Sequence, residues 1–345
     1  MRKIKINTIS GRSVLIFGTV SEVLPLYLPD SRLFIITDNT VRSLYESQFP
    51  KATVLSITPG EQSKMLETVE ELCRKLIDAG ADRSTFILGF GGGVVCDIAG
   101  VVASLYMRGV RHGFVSTTLL SQVDASIGGK NGVNLGFYKN IIGTFKQPEF
   151  VICDRNMIST LSEEEYLSGT GELIKHAVIK DRELFFDISD NLPRLLDRDT
   201  DYMEDIIFRS VKIKARIVRR DPLERDRRML LNFGHTFGHP LETTTGLLHG
   251  IAVMKGMLVA ADLSAWLGEL SLVEYSLLSK MLARLGVTPE DDLPSNMLEL
   301  VARDKKSRTG YVNAILLRSI GKAVIRKISL SEIDQFLKNR NADRS

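Results

Sequence analysis

Four of the chain's five histidines fall in two short clusters, and the residues around them suit a divalent metal. The run L-L-N-F-G-H-T-F-G-H-P-L-E-T-T-T-G-L-L-H-G (230–250) carries His235, His239 and His249. His235 and His239 are four apart, so on a helix they share one face. Upstream, G-T-G-E-L-I-K-H (169–176) sets Glu172, Lys175 and His176 on one helical face by i, i+3 and i+4 spacing. Neutral imidazoles with one carboxylate form a donor set that suits zinc first, with a coordination position left for substrate. Solvated helix-face histidines are the competing reading of H-x-x-x-H alone. The third histidine and the glutamate weigh against it.

Such groups must be positioned by a chain of 345 residues, beyond the size at which one core stops growing, so two domains are expected. The first half reads as α/β. Ser13–Phe17, Arg32–Thr37, Thr53–Ile57 and Thr85–Phe90 are short strand patterns, and Ser21–Tyr27, Val41–Gln48 and Lys64–Asp78 are the helices between them. Strand–helix alternation implies a parallel sheet, which binds ligands at the carboxyl ends of its strands. From about Leu161 helical patterns dominate: Glu163–Ile179, Thr200–Arg220, His235–Thr244, Ile251–Leu267, Leu272–Leu285 and Pro294–Asp304. A small hairpin is expected from Ala314–Leu317 and Ala323–Ile325 around Ser319–Lys322. The inferred boundary lies near Asp154–Leu161, giving an α/β domain over 1–158 and a mainly helical domain over 159–345.

Composition excludes several classes. A net charge of +3, dispersed along the chain, gives no footprint for nucleic acid. No stretch is apolar for long enough to span a bilayer. Cys73, Cys96 and Cys153 are widely spaced and form no C-x-x-C pair, which suggests reduced thiols in a cytoplasmic protein.

A glycine-rich element, G-F-G-G-G-V-V-C-D (89–97), follows a strand and precedes an apolar helical run. Glycines at such a turn let the backbone approach a pyrophosphate and aim N–H groups at it. It lacks the G-x-G-x-x-G spacing of a standard dinucleotide fingerprint, and a tight structural turn is the alternative. Cation-rich stretches precede the histidine cluster, K-I-K-A-R-I-V-R-R-D (212–221) and E-R-D-R-R (224–228), and D-K-K (304–306) lies late in the chain. Most of these charges belong on solvated faces. Cations close to a metal would suit a substrate bearing phosphate and carboxylate groups.

The chain resembles the 3-dehydroquinate synthases of the sugar-phosphate cyclase superfamily. The resemblance rests on P-G-E-Q-S-K (59–64), G-G-G-V-V-C-D-I-A-G (91–100), Y-M-R-G-V-R (106–111), T-T-L-L-S-Q-V-D-A-S-I-G-G-K-N-G-V-N (117–134), K-N-I-I-G-T-F-K-Q-P (139–148), G-E-L-I-K-H, L-N-F-G-H-T-F-G-H, L-H-G and D-K-K. These motifs occur in order over nearly the whole chain. The resemblance implies an NAD-binding α/β domain followed by a helical metal- and substrate-binding domain. It implies conversion of 3-deoxy-D-arabino-heptulosonate 7-phosphate to 3-dehydroquinate and phosphate, a shikimate-pathway step. In that reaction NAD-mediated transient oxidation, phosphate elimination, re-reduction, ring opening and aldol closure leave NAD unchanged.

Residue by residue, the resemblance assigns Glu172, His235 and His249 to the metal, zinc or alternatively cobalt. His239 is similar to the family's histidine that supports the metal ligands or transfers a proton beside the reacting carbon. Lys130, Asn140, Lys175, Lys214, Arg228, Asn232 and Asp124, with Lys305 or Lys306, match the substrate-binding set. Arg108 matches an arginine that reaches the substrate phosphate across a homodimer boundary. The NAD set is Asp38, Thr40, Glu61, Lys64, Gly92, Gly93, Asp97, Thr117, Thr118, Asp124, Lys139, Thr160 and Leu161. The carboxylate of Asp38 favours NAD, because it accepts from ribose hydroxyls and repels a 2′-phosphate.

The chain also departs from the family pattern. The segment from His239 to His249 is short, so the third ligand is entered by a tighter path. Ile251 stands where an acid usually follows L-H-G, which removes one carboxylate that could orient His249. Cys96 replaces a glycine, and Pro222 and Asp226 interrupt the segment before Arg228. The rivals are a metal-dependent polyol or glycerol dehydrogenase of similar architecture, with His176 as a further ligand, and a catalytically silent NAD-binding protein.

Overall fold

The structure is a computed structural model that describes residues 1–136, 138–288, 293–304 and 310–342. Lys305 and Lys306, one of which is expected to contact substrate, lie outside the described residues. The chain forms two compact units, one of Met1–Ser162 and Arg198–Leu223, the other of Glu163–Asp197 and Glu224–Ser345.

Strands β1 (Arg2–Thr8), β2 (Gly11–Phe17), β3 (Leu33–Asp38), β4 (Thr53–Ile57), β5 (Phe86–Gly91), β6 (Arg111–Ser116) and β9 (Phe150–Cys153) of the first unit build one sheet. Its order is β1-β2-β9-β6-β5-β3-β4. Only the β1–β2 pair is antiparallel. Helices cover the parallel part, so β5 and β9 are buried along their whole length and read as unbroken apolar runs rather than alternations. Phe86 and Phe150 stack across the sheet with centroids 5.8 Å apart. The chain reverses direction between β3 and β5, since β4 lies outside β3 and β6 lies beyond β5. In open α/β sheets such a switch point opens the ligand crevice. Asp38 ends β3 there, and Gly91 ends β5.

The helices of this unit are α1 (Val20–Val23), α2 (Asn39–Tyr45), α3 (Leu66–Asp78), α4 (Gly93–Leu105) and, from later in the chain, α8 (Thr200–Arg220). On α8 the apolar stripe Tyr202, Met203, Ile206, Ile207 and Val211 is buried, while Lys212, Arg216, Arg219 and Arg220 face solvent. A two-stranded ribbon, β7 (Lys130–Leu135) with β8 (Tyr138–Phe145), packs on α4.

His112 on β6 is fully buried, with neither ring nitrogen hydrogen-bonded, and meets the Phe114 ring edge-on at 5.2 Å. Burial, helped by the nearby Lys146 charge, pushes its imidazole from 6.5 down to about 3. As pH falls, the unfolded chain takes up this proton first. The contribution to stability is therefore complete above about 6.5 and is lost at roughly 1.4 kcal/mol per pH unit toward 3. His112→Phe is expected to flatten the stability profile over that window, as read by urea unfolding at several pH values. An unchanged slope would contradict this.

The second unit contains α5 (Glu163–Lys180), α6 (Arg182–Asp190), α7 (Leu192–Leu196), α9 (His235–Thr245), α10 (His249–Trp266), α11 (Leu272–Ala283), α12 (Met297–Asp304), the hairpin β10 (Tyr311–Ser319) and β11 (Lys322–Ser329), and α13 (Leu330–Ala342). Almost every side chain of α5 from Tyr166 to Ile179 is buried, which makes it the central helix of the unit. Helix α10 starts two residues earlier than its apolar pattern suggests, so His249 opens it. No helix among the described residues is long and apolar enough to cross a membrane.

Candidate metal centre and nucleotide site

In the second unit the two histidine-bearing segments converge because their backbones touch. A Cβ on Gly171 of α5 would lie 2.5 Å from the Gly250 carbonyl oxygen of α10, and one on Gly238 of α9 would lie 2.9 Å from the Ala252 oxygen. Gly234, at φ +84°, begins α9 against Val253 and Met257. Side chains at these positions would hold α5, α9 and α10 apart. Their absence lets Glu172, His235 and His249 meet.

Ligand atoms of these three residues all lie within 4.8 Å of one another. The Oε1 atom of Glu172 stands 3.5 Å from His249 Nε2 and 3.8 Å from His235 Nε2. Those separations are too long for good hydrogen bonds. Donors placed 2.0–2.2 Å from a tetrahedral ion stand about 3.3–3.6 Å apart, so the set fits a zinc-sized ion. The other ring nitrogens are held from behind. His235 Nδ1 lies 3.2 Å from the Phe233 carbonyl oxygen, and His249 Nδ1 lies 3.0 Å from Glu242 Oε2. Each contact would hold a proton on Nδ1 and leave Nε2 to an ion in the gap.

Electrostatics separate the two histidines. Burial drives His235 well below the ordinary imidazole value, with Lys175, His239 and His249 adding to the effect, so it stays neutral. Burial also acts against charge on His249, but with no ion in the gap the Glu242 hydrogen bond and the nearby Glu172 carboxylate outweigh it and lift the ring to about 9. Lys175, 1% exposed, pairs with Glu172 Oε2. The His239 ring lies 5.0 Å from that of His235 and 6.0 Å from that of His249, at the side of the centre. His176 is buried one residue after Lys175 and is not part of the Glu172–His235–His249 group. A 3-10 turn, Arg227–Asn232, brings buried Arg228 and half-buried Asn232 up to α9. Glu224 Oε1 accepts from Asn232 Nδ2 at 2.6 Å.

In the first unit many of the expected nucleotide residues follow the carboxyl ends of parallel strands, Asp38 and Thr40 at β3, Glu61 and Lys64 after β4, Gly92 and Gly93 after β5, and Thr117 and Thr118 after β6, whereas Lys139 lies on β8. Gly92 caps α4, and a Cβ there would come 2.9 Å from Thr118 Cγ2. The Thr118 side chain closes on that position, so only glycine lets the chain turn into α4 there, at the helix N-terminus where a pyrophosphate would be received. Lys64 Nζ pairs with Asp97 Oδ2 at 2.5 Å, and burial raises the Asp97 carboxyl against the pull of Lys64. Glu61 accepts from Asn134 Nδ2 at 2.8 Å, and Asn134 in turn accepts from the Asn140 backbone N–H at 2.8 Å. That bond supports Asn140 at φ +53°, a sparsely populated conformation of the kind found at functional sites. Asp38 caps α2 through Val41 N at 2.8 Å, and Thr160 Oγ1 lies 2.6 Å from the Tyr45 hydroxyl. Leu161 is held through its carbonyl by Arg198 at 2.8 Å. A single π-helical turn, Ser121–Ala125, carries Asp124, which takes Lys214 Nζ at 2.5 Å on its carboxylate and 2.6 Å on its carbonyl. Thr117 is buried, while Thr40, Lys130 and Lys139 are exposed.

Arg108 lies exposed in a turn where Met107, Arg108 and Gly109 all have positive φ (50°, 66° and 119°). Glu224 and Glu242 belong to no motif of their own, since each acts on a residue that another motif marks, Asn232 and His249. The tighter path into His249 is a three-residue connection, Gly246–Leu248, with Gly246 at φ +72°.

Two family profiles match the chain, 3-dehydroquinate synthase N-terminal over residues 54–168 and 3-dehydroquinate synthase C-terminal over residues 169–307. A 3-dehydroquinate synthase of Thermoanaerobacter pseudethanolicus is 39% identical over 335 residues, 93% of this chain and 94% of the relative. Among solved structures, 2-deoxy-scyllo-inosose synthase complexed with carbaglucose-6-phosphate, NAD+ and cobalt superposes with a TM-score of 0.88 at 25% identity, covering 98% of this chain and 100% of the other. The 2-epi-5-epi-valiolone synthase of Streptomyces hygroscopicus subsp. jinggangensis, with NAD+ and zinc bound, gives 0.87 at 28% identity and covers 100% of both chains.

Proposed function

The chain belongs to the 3-dehydroquinate synthase family, and on that premise we propose that it converts 3-deoxy-D-arabino-heptulosonate 7-phosphate to 3-dehydroquinate and phosphate, as a carbon–oxygen lyase. The observation that carries this reading is the convergence of Glu172, His235 and His249 on one ion-sized gap beside buried Lys175. When bound, NAD supplies a hydride acceptor that is restored within the cycle, and the divalent ion, zinc or alternatively cobalt, supplies Lewis acidity toward the substrate hydroxyl and ketone.

The chain's own residues bind and position. Gly92, Gly93 and the first amides of α4 receive the pyrophosphate. Asp38, Thr40, Glu61, Lys64, Asp97, Thr117, Thr118, Asp124, Lys139, Thr160 and Leu161 surround the rest of the cofactor. Lys175 donates to a substrate oxygen next to Glu172, while His239 holds or returns a proton at the reacting carbon. Arg228, with its fixed fork, and Lys214 take the carboxylate, and Asn232, aligned by Glu224, takes a hydroxyl. Lys130 and Asn140 complete the substrate set with Lys305 or Lys306. The cytoplasm suits the three free cysteines.

The working protein in this reading is a homodimer in which each phosphate subsite is completed by Arg108 of the partner subunit. Support comes from the exposed turn with positive φ that presents Arg108 directly after the exposed apolar side chains of Leu105 and Met107. Losing a charge-assisted contact to phosphate costs about 1.5–3 kcal/mol. Arg108→Ala is therefore expected to raise KM for the phosphorylated substrate by roughly 10- to 150-fold. NAD affinity should be unchanged. Steady-state kinetics and sedimentation check both points, and a monomer with normal activity would refute the dimeric site. The reaction as a whole is tested by supplying only trace NAD, under which turnover should persist without NADH accumulating.

A further inference from the structure

We infer that Glu242 is the positioning residue that orients His249 toward the divalent ion, in a chain that carries Ile251 rather than an acid after His249. The inference rests on the metal centre proposed above. Glu242 lies in the last turns of α9 with its side chain 12% exposed, and its Oε2 meets His249 Nδ1 at 3.0 Å. An acceptor there fixes the proton on Nδ1 and turns Nε2 toward Glu172. Ile251 follows His249 by two residues on α10, so it projects from a different face of the helix.

The short connection makes this contact available. Gly246 turns the chain at φ +72°, its N–H returns to the Glu242 carbonyl at 3.1 Å, and α10 starts three residues later at His249. The end of α9 is thereby laid beside the start of α10. One helix thus supplies His235 as a donor and, through Glu242, sets the ring of the donor on the next helix. The two imidazoles are supported unequally. His235 leans on a neutral carbonyl at 3.2 Å, whereas His249 leans on a carboxylate, which makes it the more basic donor.

Glu242 has a second reading as a ligand in its own right, since ligand atoms of His239, Glu242 and His249 also lie within 4.8 Å of one another. Ion stoichiometry separates the two. Zinc and cobalt are titrated against a competing chelator into the NAD-loaded parent, Glu242→Met and Glu242→Gln proteins. Methionine keeps volume and removes the acceptor, while glutamine keeps a neutral one. Glu242→Met should bind about 10- to 100-fold more weakly, the usual cost of losing such a partner. Glu242→Gln should fall between it and the parent. All three should hold one ion per chain, and the metal-free proteins should unfold together. Parent-like affinity in either variant would overturn the inference, as would two ions in the parent falling to one in the variants. If Glu242→Met does not fold, the intermediate affinity of Glu242→Gln decides alone. His235→Ala in the same titration tells a failure of this inference from a failure of the three-donor centre, because only the latter leaves its binding intact.

Discussion

Replacing His235 with alanine is expected to empty the metal centre and lower turnover by more than about 100-fold, beyond the 10–100-fold that follows loss of a ligand's outer partner. His235 supplies one of three donors. Its ring is held neutral by burial and braced by the Phe233 carbonyl, so no proton need be removed before it binds. The two remaining donors, Glu172 and His249, would leave a catalytic ion short of the three protein ligands such sites use. His235 opens α9 rather than filling an apolar core, so the fold should persist. Metal content by elemental analysis and near-parent circular dichroism check the two halves of this expectation. A variant that keeps both its ion and its turnover would remove the basis for the proposed centre.

Gly256→Ala is expected to destabilise the second unit by about 3 kcal/mol, at the upper end of overpacking costs. It should also weaken metal binding. A Cβ at Gly256 of α10 would collide with the Gly234 carbonyl oxygen and lie 2.6 Å from Gly238 N. Both neighbours are backbone atoms of the segment that carries His235 and His239, so no side chain can rotate away. Helix α9 would have to move, and its two histidines with it. Gly246→Ala is the control. Nothing lies within 4 Å of its Cβ, and it loses only the ease of φ +72°, about 1 kcal/mol. Thermal unfolding should rank parent, Gly246→Ala and Gly256→Ala in that order. Equal midpoints for the two variants would mean that close helix contact does not hold the centre together.

Periodic elements were readable from the sequence, and contacts between distant segments were not. Thr53–Ile57 and Thr200–Arg220 occur with the bounds their patterns suggest, because a buried strand and an amphipathic helix both write their period into the chain. The expected hairpin is β10–β11. The ribbon β7–β8 was hidden, since K-N-G-V-N-L looks like a loop until Asn131 is seen packing against Gly100 of α4. On α8 the apolar stripe showed which face is buried, but not that β1 and the turn holding Asp124 lie against it. Spacing made Glu172, His235 and His249 candidates. What joins them is a set of glycines whose reason is a neighbour's backbone, and Gly256 gave no local sign of that. Glu242 is hidden for a similar reason, because the family pattern sets an acid after His249 along α10 and the acid that touches it here comes from the preceding helix.

The most direct test supplies the metal-loaded protein with 3-deoxy-D-arabino-heptulosonate 7-phosphate and trace NAD, and follows phosphate, carbocyclic product and NADH together. Phosphate and 3-dehydroquinate appearing in equal amounts, far in excess of the NAD added and with no accumulating NADH, is the predicted result. Stoichiometric NADH without phosphate release would contradict it and identify a dehydrogenase instead.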